Sequence, residues 1–180
     1  MDESIHAWQI LDSEVVYSAR PFLEIERQRV LLPDGRQIED FHQAWVTDYA
    51  IIYAETEDGD VVMERLYKHG ARAVCLMFPG GGIHAGEQPL AAAQRELLEE
   101  TGYVSDEWVL LKKLVVHSNY GCGNAYYFQA KRARRVGAPS HDDLEVINVE
   151  LHPRQSLAGL LDRNEIVFMD CVAMLALVPA

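Results

Sequence analysis

The 180-residue sequence has few cysteines and no long hydrophobic run. Its three cysteines, Cys75, Cys122 and Cys171, are scattered along the chain, so we expect neither a disulfide framework nor a paired-cysteine metal motif. This usage is typical of a reducing compartment, and it predicts a cytoplasmic protein. The apolar C-terminal stretch, CVAMLALVPA, is too short to span a bilayer.

Positive charge is also scarce, because 16 Lys and Arg residues stand against 28 Asp and Glu residues, for a formal net charge of −12. Proteins that bind duplex DNA or anionic membranes need a basic surface, so this balance argues against both kinds of partner. A polyphosphate substrate would need cations that neutralise it locally. With 49% hydrophobic residues, a chain of this length can bury the core of one domain.

Turn motifs and alternating residues predict a mixed α/β domain over residues 1–180, with residues 1–45 as a β-rich N-terminal extension. The segments LPDGR (32–36) and Asp58-Gly59 have the composition of hairpin turns. A helix is expected to begin near Pro89 and to end just before Gly102. Further strands are predicted in 71–78, 108–118 and 124–133 and after an acidic loop that starts at 140, and two helices in 153–166 and 168–178.

The predicted central helix gathers negative charge in its last turn. Glu96, Glu99 and Glu100 are spaced i, i+3 and i+4, so they share one helix face. Each like-charge pair costs roughly 0.2–0.5 kcal/mol on an isolated helix, and the helix dipole disfavours anions at this end. Clustered carboxylate oxygens suit Mg²⁺ or Mn²⁺. The pattern indicates a divalent-cation site with Arg95 as an internal counter-charge; a solvated acidic face is the alternative.

The spacing around this helix matches a known signature. From Gly81, five residues lead to Glu87, seven more lead to Arg95, and RELLEETGY follows. This arrangement resembles the Nudix box of Nudix hydrolases, with Tyr103 as a substitution at the final bulky position that the ADP-ribose pyrophosphatase branch also shows. The flanking segments are similar to the ADP-ribose and nucleoside-diphosphate-sugar pyrophosphatases. The resemblance implies a Nudix-type α/β/α sandwich with a mixed β-sheet, plus the N-terminal β extension.

The resemblance also implies a reaction and its metal ligands. Water would attack a phosphorus of ADP-ribose or a related nucleoside diphosphate sugar, giving a nucleoside monophosphate and a sugar phosphate, with Mg²⁺, or Mn²⁺, as cofactor. The implied ligands are Glu96 and Glu100, with Glu99 as a further ligand or a water-orienting group, and with the carbonyl oxygen of Gly80. Arg95 would support the cluster.

Other roles are implied outside the cluster. In related pyrophosphatases a carboxylate on the late acidic loop is the general base, which points to Glu145 first and Asp143 second. Candidate substrate-binding residues are those basic side chains that precede the box or lie in its loop: Arg65, Lys68, Arg72 and His84. Exposed structural charges are the alternative for each. Glu87 is a weaker candidate for the outer metal shell.

Two departures from the branch bear on the substrate. Met77 stands where a glutamate is common, and Ser118 and Asn119 stand near the place of a usual proline. They leave open a dinucleotide, a CoA-type ester or a nucleoside triphosphate as the substrate. A non-catalytic nucleotide-binding module is a further alternative, although this chain has every carboxylate of the box.

The N-terminal extension also suggests an assembly. Relatives are often dimers built through their N-terminal strands, and Trp8 and Trp45 could pack at such an interface. We therefore expect a homodimer, by analogy only.

Overall fold

The computed structural model describes residues 6–140 and 146–179. The chain forms two compact units, one from Met1–Thr47 with Val115–Asn124 and the other from Asp48–Leu114 with Ala125–Ala180. The first unit thus includes residues 115–124, which the sequence did not assign to the N-terminal extension. That the whole chain is a single domain stays a prediction.

The first unit is built on three antiparallel strands, β1 (Gln9–Ala19), β2 (Leu23–Leu31) and β3 (Gln37–Trp45). The predicted LPDGR turn joins β2 to β3, and the Gly35 N–H donates to the Leu32 carbonyl oxygen at 3.0 Å. Strand β1 lies within the β-rich extension predicted for residues 1–45, but its own bounds were not predicted. Its residues are almost all exposed, so it lacks the alternation that marks a half-buried strand.

The second unit contains a mixed sheet. Its strands are β4 (Tyr49–Thr56), β5 (Asp60–Lys68), β6 (Ala73–Met77), β7 (Gly80–Gly82), β8 (Tyr103–Val104), most of β9 (Glu107–His117), most of β10 (Gly121–Arg135) and β11 (Asn148–Pro153). Strand β10 runs parallel to β4, while β5 and β7 run antiparallel to β4. Strands β6 and β11 pair antiparallel with β5. The predicted hairpin at Asp58-Gly59 joins β4 to β5, whereas β10 begins at Gly121, three residues before the start of the strand predicted over 124–133.

Three α-helices complete the described residues: α1 (Pro89–Glu96), α2 (Leu157–Asp162) and α3 (Met169–Leu177). Helix α1 continues as a π-helical turn, Leu97–Thr101, and ends at Gly102, whose φ of 74° is left-handed. Both predicted ends of this helix are confirmed. Helix α2 is shorter than predicted at both ends, because residues 154–156 form a 3₁₀ turn and residues 163–166 lie beyond its last residue. Within the described ranges, none of the helices combines the length and apolar character that a membrane crossing requires.

The core of the second unit holds helix α1 in place. Ala93 and Leu97 are fully buried in one cluster with residues of β4 and β10, including Ile52 and Phe128. Burying a side chain of the size of Leu, Ile or Phe contributes about 1.5–3 kcal/mol. This packing fixes the position of the opposite, polar side of the helix, which carries the glutamates.

Candidate active site

Two glycines of strand β7 allow the backbone to approach its neighbours closely. A Cβ atom on Gly80 would collide with the backbone carbonyl oxygen of Ala50 on strand β4. A Cβ atom on Gly81 would lie 2.5 Å from the Cδ and Oε1 atoms of Glu96. Glycine at both positions therefore lets the helix carboxylate lie directly against the strand.

Arg95 organises the outer part of the site. Its Nε and Nη2 atoms donate to the two carboxylate oxygens of Glu87, each at 3.0 Å. Its Nη1 atom donates to Glu96 at 2.7 Å and to Glu99 at 3.2 Å, and Nη2 also donates to the Gly82 carbonyl oxygen at 3.0 Å. Hydrogen bonding to Arg95 lowers the pKa of Glu87 to about 2. The predicted counter-charge is thus one guanidinium that three carboxylates share.

Glu100 points inward from the π-helical turn and is 7% exposed. Its Oε2 atom accepts a hydrogen bond from the Gly80 N–H at 2.9 Å. Burial raises the pKa of Glu100 to about 7, the Gly80 N–H opposes this shift, and the charge of Glu96 adds to it. The contact of Gly80 with this carboxylate is therefore made by its amide, and the carbonyl ligand implied by the resemblance stays a prediction.

Glu64 of strand β5 joins this group, and the sequence reasoning missed it. The residue is 1% exposed and follows three fully buried apolar residues: Val61, Val62 and Met63. Its carboxyl group lies within hydrogen-bonding reach of Glu100, while its Oε1 atom has no partner among the described residues. Burial raises the pKa of Glu64 well above its usual value, and the charge of Glu100 raises it further. The available signal was one acidic residue inside the buried run VVME.

Lys68 is the predicted substrate-binding residue that the structure brings to this cluster. It lies four residues after Glu64, so both side chains project from the same face of β5. Its positive charge lowers the pKa of both Glu64 and Glu100. Arg95 thus faces three glutamates and Lys68 faces two, so that carboxylates outnumber the cations that neutralise them.

The structure does not bring Arg65 to the cluster. It occupies the opposite face of β5, where it donates to both oxygens of Glu150 at 2.6 and 3.1 Å and to Glu165 at 2.9 Å. Arg72 lies in the exposed turn between β5 and β6. The side chain of His84 is 72% exposed, and the His84 backbone N–H donates to Glu87 at 2.9 Å.

The two predicted general bases, Glu145 and Asp143, lie outside the described residues.

Over 6–140 and 146–179, no three His, Cys, Asp or Glu residues are arranged as a ready-made metal site, in line with the hydrogen bonds that Glu96, Glu99 and Glu100 already make. The donor set nevertheless fits a hard divalent cation. It consists of carboxylate oxygens, one of them buried without a partner.

Comparison with known proteins identifies the family. The family model of the NUDIX domain matches residues 26–170. The ADP-ribose pyrophosphatase of Mycobacterium tuberculosis (strain ATCC 25618 / H37Rv) is 26% identical over 168 residues, covering 90% of this chain and 78% of that protein. The ADP-sugar pyrophosphatase of Mus musculus is 49% identical over 43 residues, 24% of this chain and 20% of that protein. A crystal structure of an ADP compounds hydrolase superposes with a TM-score of 0.83 at 22% identity, covering 97% of this chain and 94% of that one.

The chain belongs to the NUDIX domain family, and the expectation of a Nudix hydrolase is confirmed. The structural match confirms the predicted fold class, a Nudix fold with a mixed β-sheet and packed helices. The resemblance to the ADP-ribose and nucleotide-sugar pyrophosphatase branch is confirmed as well, because relatives with those names match this chain over 168 and 43 residues.

Proposed function

We propose that this chain hydrolyses the pyrophosphate bond of ADP-ribose or a related nucleoside diphosphate sugar, with Mg²⁺ as cofactor and Mn²⁺ as a possible substitute. The observation that carries the proposal is that carboxylates outnumber cationic side chains where helix α1 and its π-helical turn meet strand β7. A diphosphate approaches such a surface only when cations bridge the two negative charges. The names of the relatives support the substrate class.

In the proposed reaction, water adds to one phosphorus while the bridging P–O bond breaks, leaving a nucleoside monophosphate and a sugar phosphate. Glu96, Glu99 and Glu100 would hold the divalent cation. When bound, that cation polarises a phosphate oxygen and lowers the pKa of its water. Glu145 is proposed as the base that accepts the proton of the attacking water, with Asp143 as the second choice.

Four basic side chains are proposed to bind substrate, and the structure supports them unequally. Lys68 has the strongest support, because its charge acts directly on Glu64 and Glu100. His84 and Arg72 are exposed and therefore accessible to a phosphate or a ribose. Arg65 has the weakest support, since its guanidinium is already engaged by carboxylates.

We also propose a cytoplasmic homodimer. All three cysteines are free thiols, as expected in a reducing compartment. Strand β1 exposes apolar side chains that a second copy could cover: Ile10, Leu11, Val15, Val16 and Tyr17.

A product screen tests the proposed function. The purified chain is incubated with ADP-ribose, nucleotide sugars, a dinucleotide, a CoA ester and nucleoside triphosphates, with Mg²⁺ or with a chelator. We expect release of AMP from ADP-ribose or an ADP-sugar in Mg²⁺ only. Glu100→Gln should lower kcat by about 10²-fold or more, since it removes a proposed metal ligand, while the exposed control Glu39→Gln should keep full activity. Lack of turnover on every diphosphate, or full activity of Glu100→Gln, contradicts the proposal.

A further inference from the structure

Glu64 is a buried carboxyl group whose hydrogen bonding is incomplete. Its Oε1 atom is unpartnered among the described residues although the residue is 1% exposed. The three residues before it, 61–63, are apolar, and its cross-strand neighbours Met77 and Val149 supply no N–H or O–H donor from their side chains. Burying a carboxyl group without partners is unfavourable. A strand optimised for stability alone would carry an apolar residue at this position.

The direction of the side chain relates it to the helix glutamates. Strand alternation places Glu64 and Lys68 on one face of β5 and Arg65 on the other. On that face, Glu64 lies within hydrogen-bonding reach of Glu100, and the charge of Glu96 also acts on it. Strand β5 therefore adds a carboxyl group to the cluster from the side of the sheet, opposite the helix.

We propose that Glu64 is a further metal-ligating residue of this chain, which completes from strand β5 the set of carboxylates that α1 and the π-helical turn provide. The inference rests on the proposed function, because it assumes that a divalent cation binds there. An unpartnered buried oxygen is available to a hard cation, which accepts six or more oxygen ligands.

The test measures Mn²⁺ binding rather than turnover. Free Mn²⁺ is followed by electron paramagnetic resonance while the metal-free protein is titrated without nucleotide. Thermal melting of the same samples reports stability. The variants are Glu64→Gln and Glu64→Met, with Glu100→Gln as a positive control. Glu150→Gln is the matched control, because Glu150 is a half-buried carboxylate on neighbouring strand β11 that pairs with Arg65 on the other face.

Loss of one of several ligands should weaken Mn²⁺ binding by about 10-fold or more in both Glu64 variants. Their metal-free melting temperatures should stay at or above that of the wild type, and Glu150→Gln should melt earlier with an unchanged Kd. A Kd within twofold of wild type in both Glu64 variants, while Glu100→Gln loses binding, overturns the role of Glu64 and leaves the proposed function intact. Absence of Mn²⁺ binding by the wild type overturns both.

Discussion

At the residue scale, Arg95 holds the outer carboxylates of the site in place, since it forms ion pairs with Glu87, Glu96 and Glu99. Arg95→Lys keeps the charge but cannot reproduce the two parallel hydrogen bonds to Glu87. We expect kcat at saturating Mg²⁺ and ADP-ribose to fall by about 10-fold or more, because small displacements of catalytic groups are costly. Steady-state kinetics at several Mg²⁺ concentrations measure this. A variant with wild-type kcat would show that a point charge is sufficient.

Glu87 makes the stability of the site depend on pH. Its pKa in the folded protein is lowered to about 2, so it contributes stability above the ordinary value of 4.5 and loses that contribution as the pH falls through 2. The contribution at pH 7 is about 1–3 kcal/mol. Urea unfolding of wild type and Glu87→Gln should differ by this amount at pH 7 and converge towards pH 2. A difference that is constant with pH contradicts the assignment.

The sequence predicted the box residues of the site but not Glu64, and the reason is physical. The box glutamates repeat along one helix, where the spacing alone fixes a shared face. Glu64 belongs to a strand some thirty residues earlier, and its contact with Glu100 depends on how the sheet packs against the helix. Arg65 illustrates the converse: its charge suggested a phosphate contact, but its strand position directs it to Glu150 and Glu165.

At the scale of elements, the two glycines Gly80 and Gly81 of strand β7 have different surroundings, so we expect their substitution to have different effects. In Gly80→Ala the new Cβ meets backbone atoms of Ala50, which cannot move aside, so we expect a loss of stability of about 1–3 kcal/mol. In Gly81→Ala it meets the carboxylate end of Glu96, which can rotate away. Gly81→Ala should therefore keep most of its stability and lose activity and Mn²⁺ affinity.

Urea unfolding and ADP-ribose kinetics on both glycine variants distinguish these effects. Equal loss of stability in the two variants would contradict the different surroundings of the two glycines. Wild-type activity in Gly81→Ala would show that the position of the Glu96 carboxylate does not limit the reaction.

The Arg65 network connects β5, β11 and the segment before α3. Its guanidinium donates to Glu150 on β11 and to Glu165, and the Glu165 carbonyl oxygen accepts from the Leu76 N–H of β6 at 2.9 Å. Arg65→Met should lower stability by about 1–3 kcal/mol, because Glu150 and Glu165 lose three hydrogen bonds and keep only their contacts with His152 and Arg163 among the described residues. The KM for ADP-ribose should stay within twofold of wild type. A large rise in KM with unchanged melting would restore the substrate-binding role predicted from the sequence.

At the scale of the whole molecule, the proposed dimer would cover the exposed apolar side chains of strand β1. An exposed strand with a row of apolar side chains is an aggregation hazard unless something covers it. Light scattering during size-exclusion chromatography should give about twice the 20.3 kDa chain mass for the wild type. Val15→Lys should shift the mass towards one chain. A wild-type mass of one chain contradicts the dimer.

The sequence by itself determined the family, the helix that carries the carboxylates, its ends at Pro89 and Gly102, and the counter-charge of Arg95. These features are local, since spacing along one helix and glycine at its end are sufficient to specify them. Only the tertiary structure decided that Glu64 lies beside Glu100 and that the Gly80 amide donates to Glu100. It also decided that Arg65 points away from the glutamate cluster, towards Glu150. Such contacts join segments distant in the chain, so they depend on the packing of strands and helix rather than on any pattern within one segment.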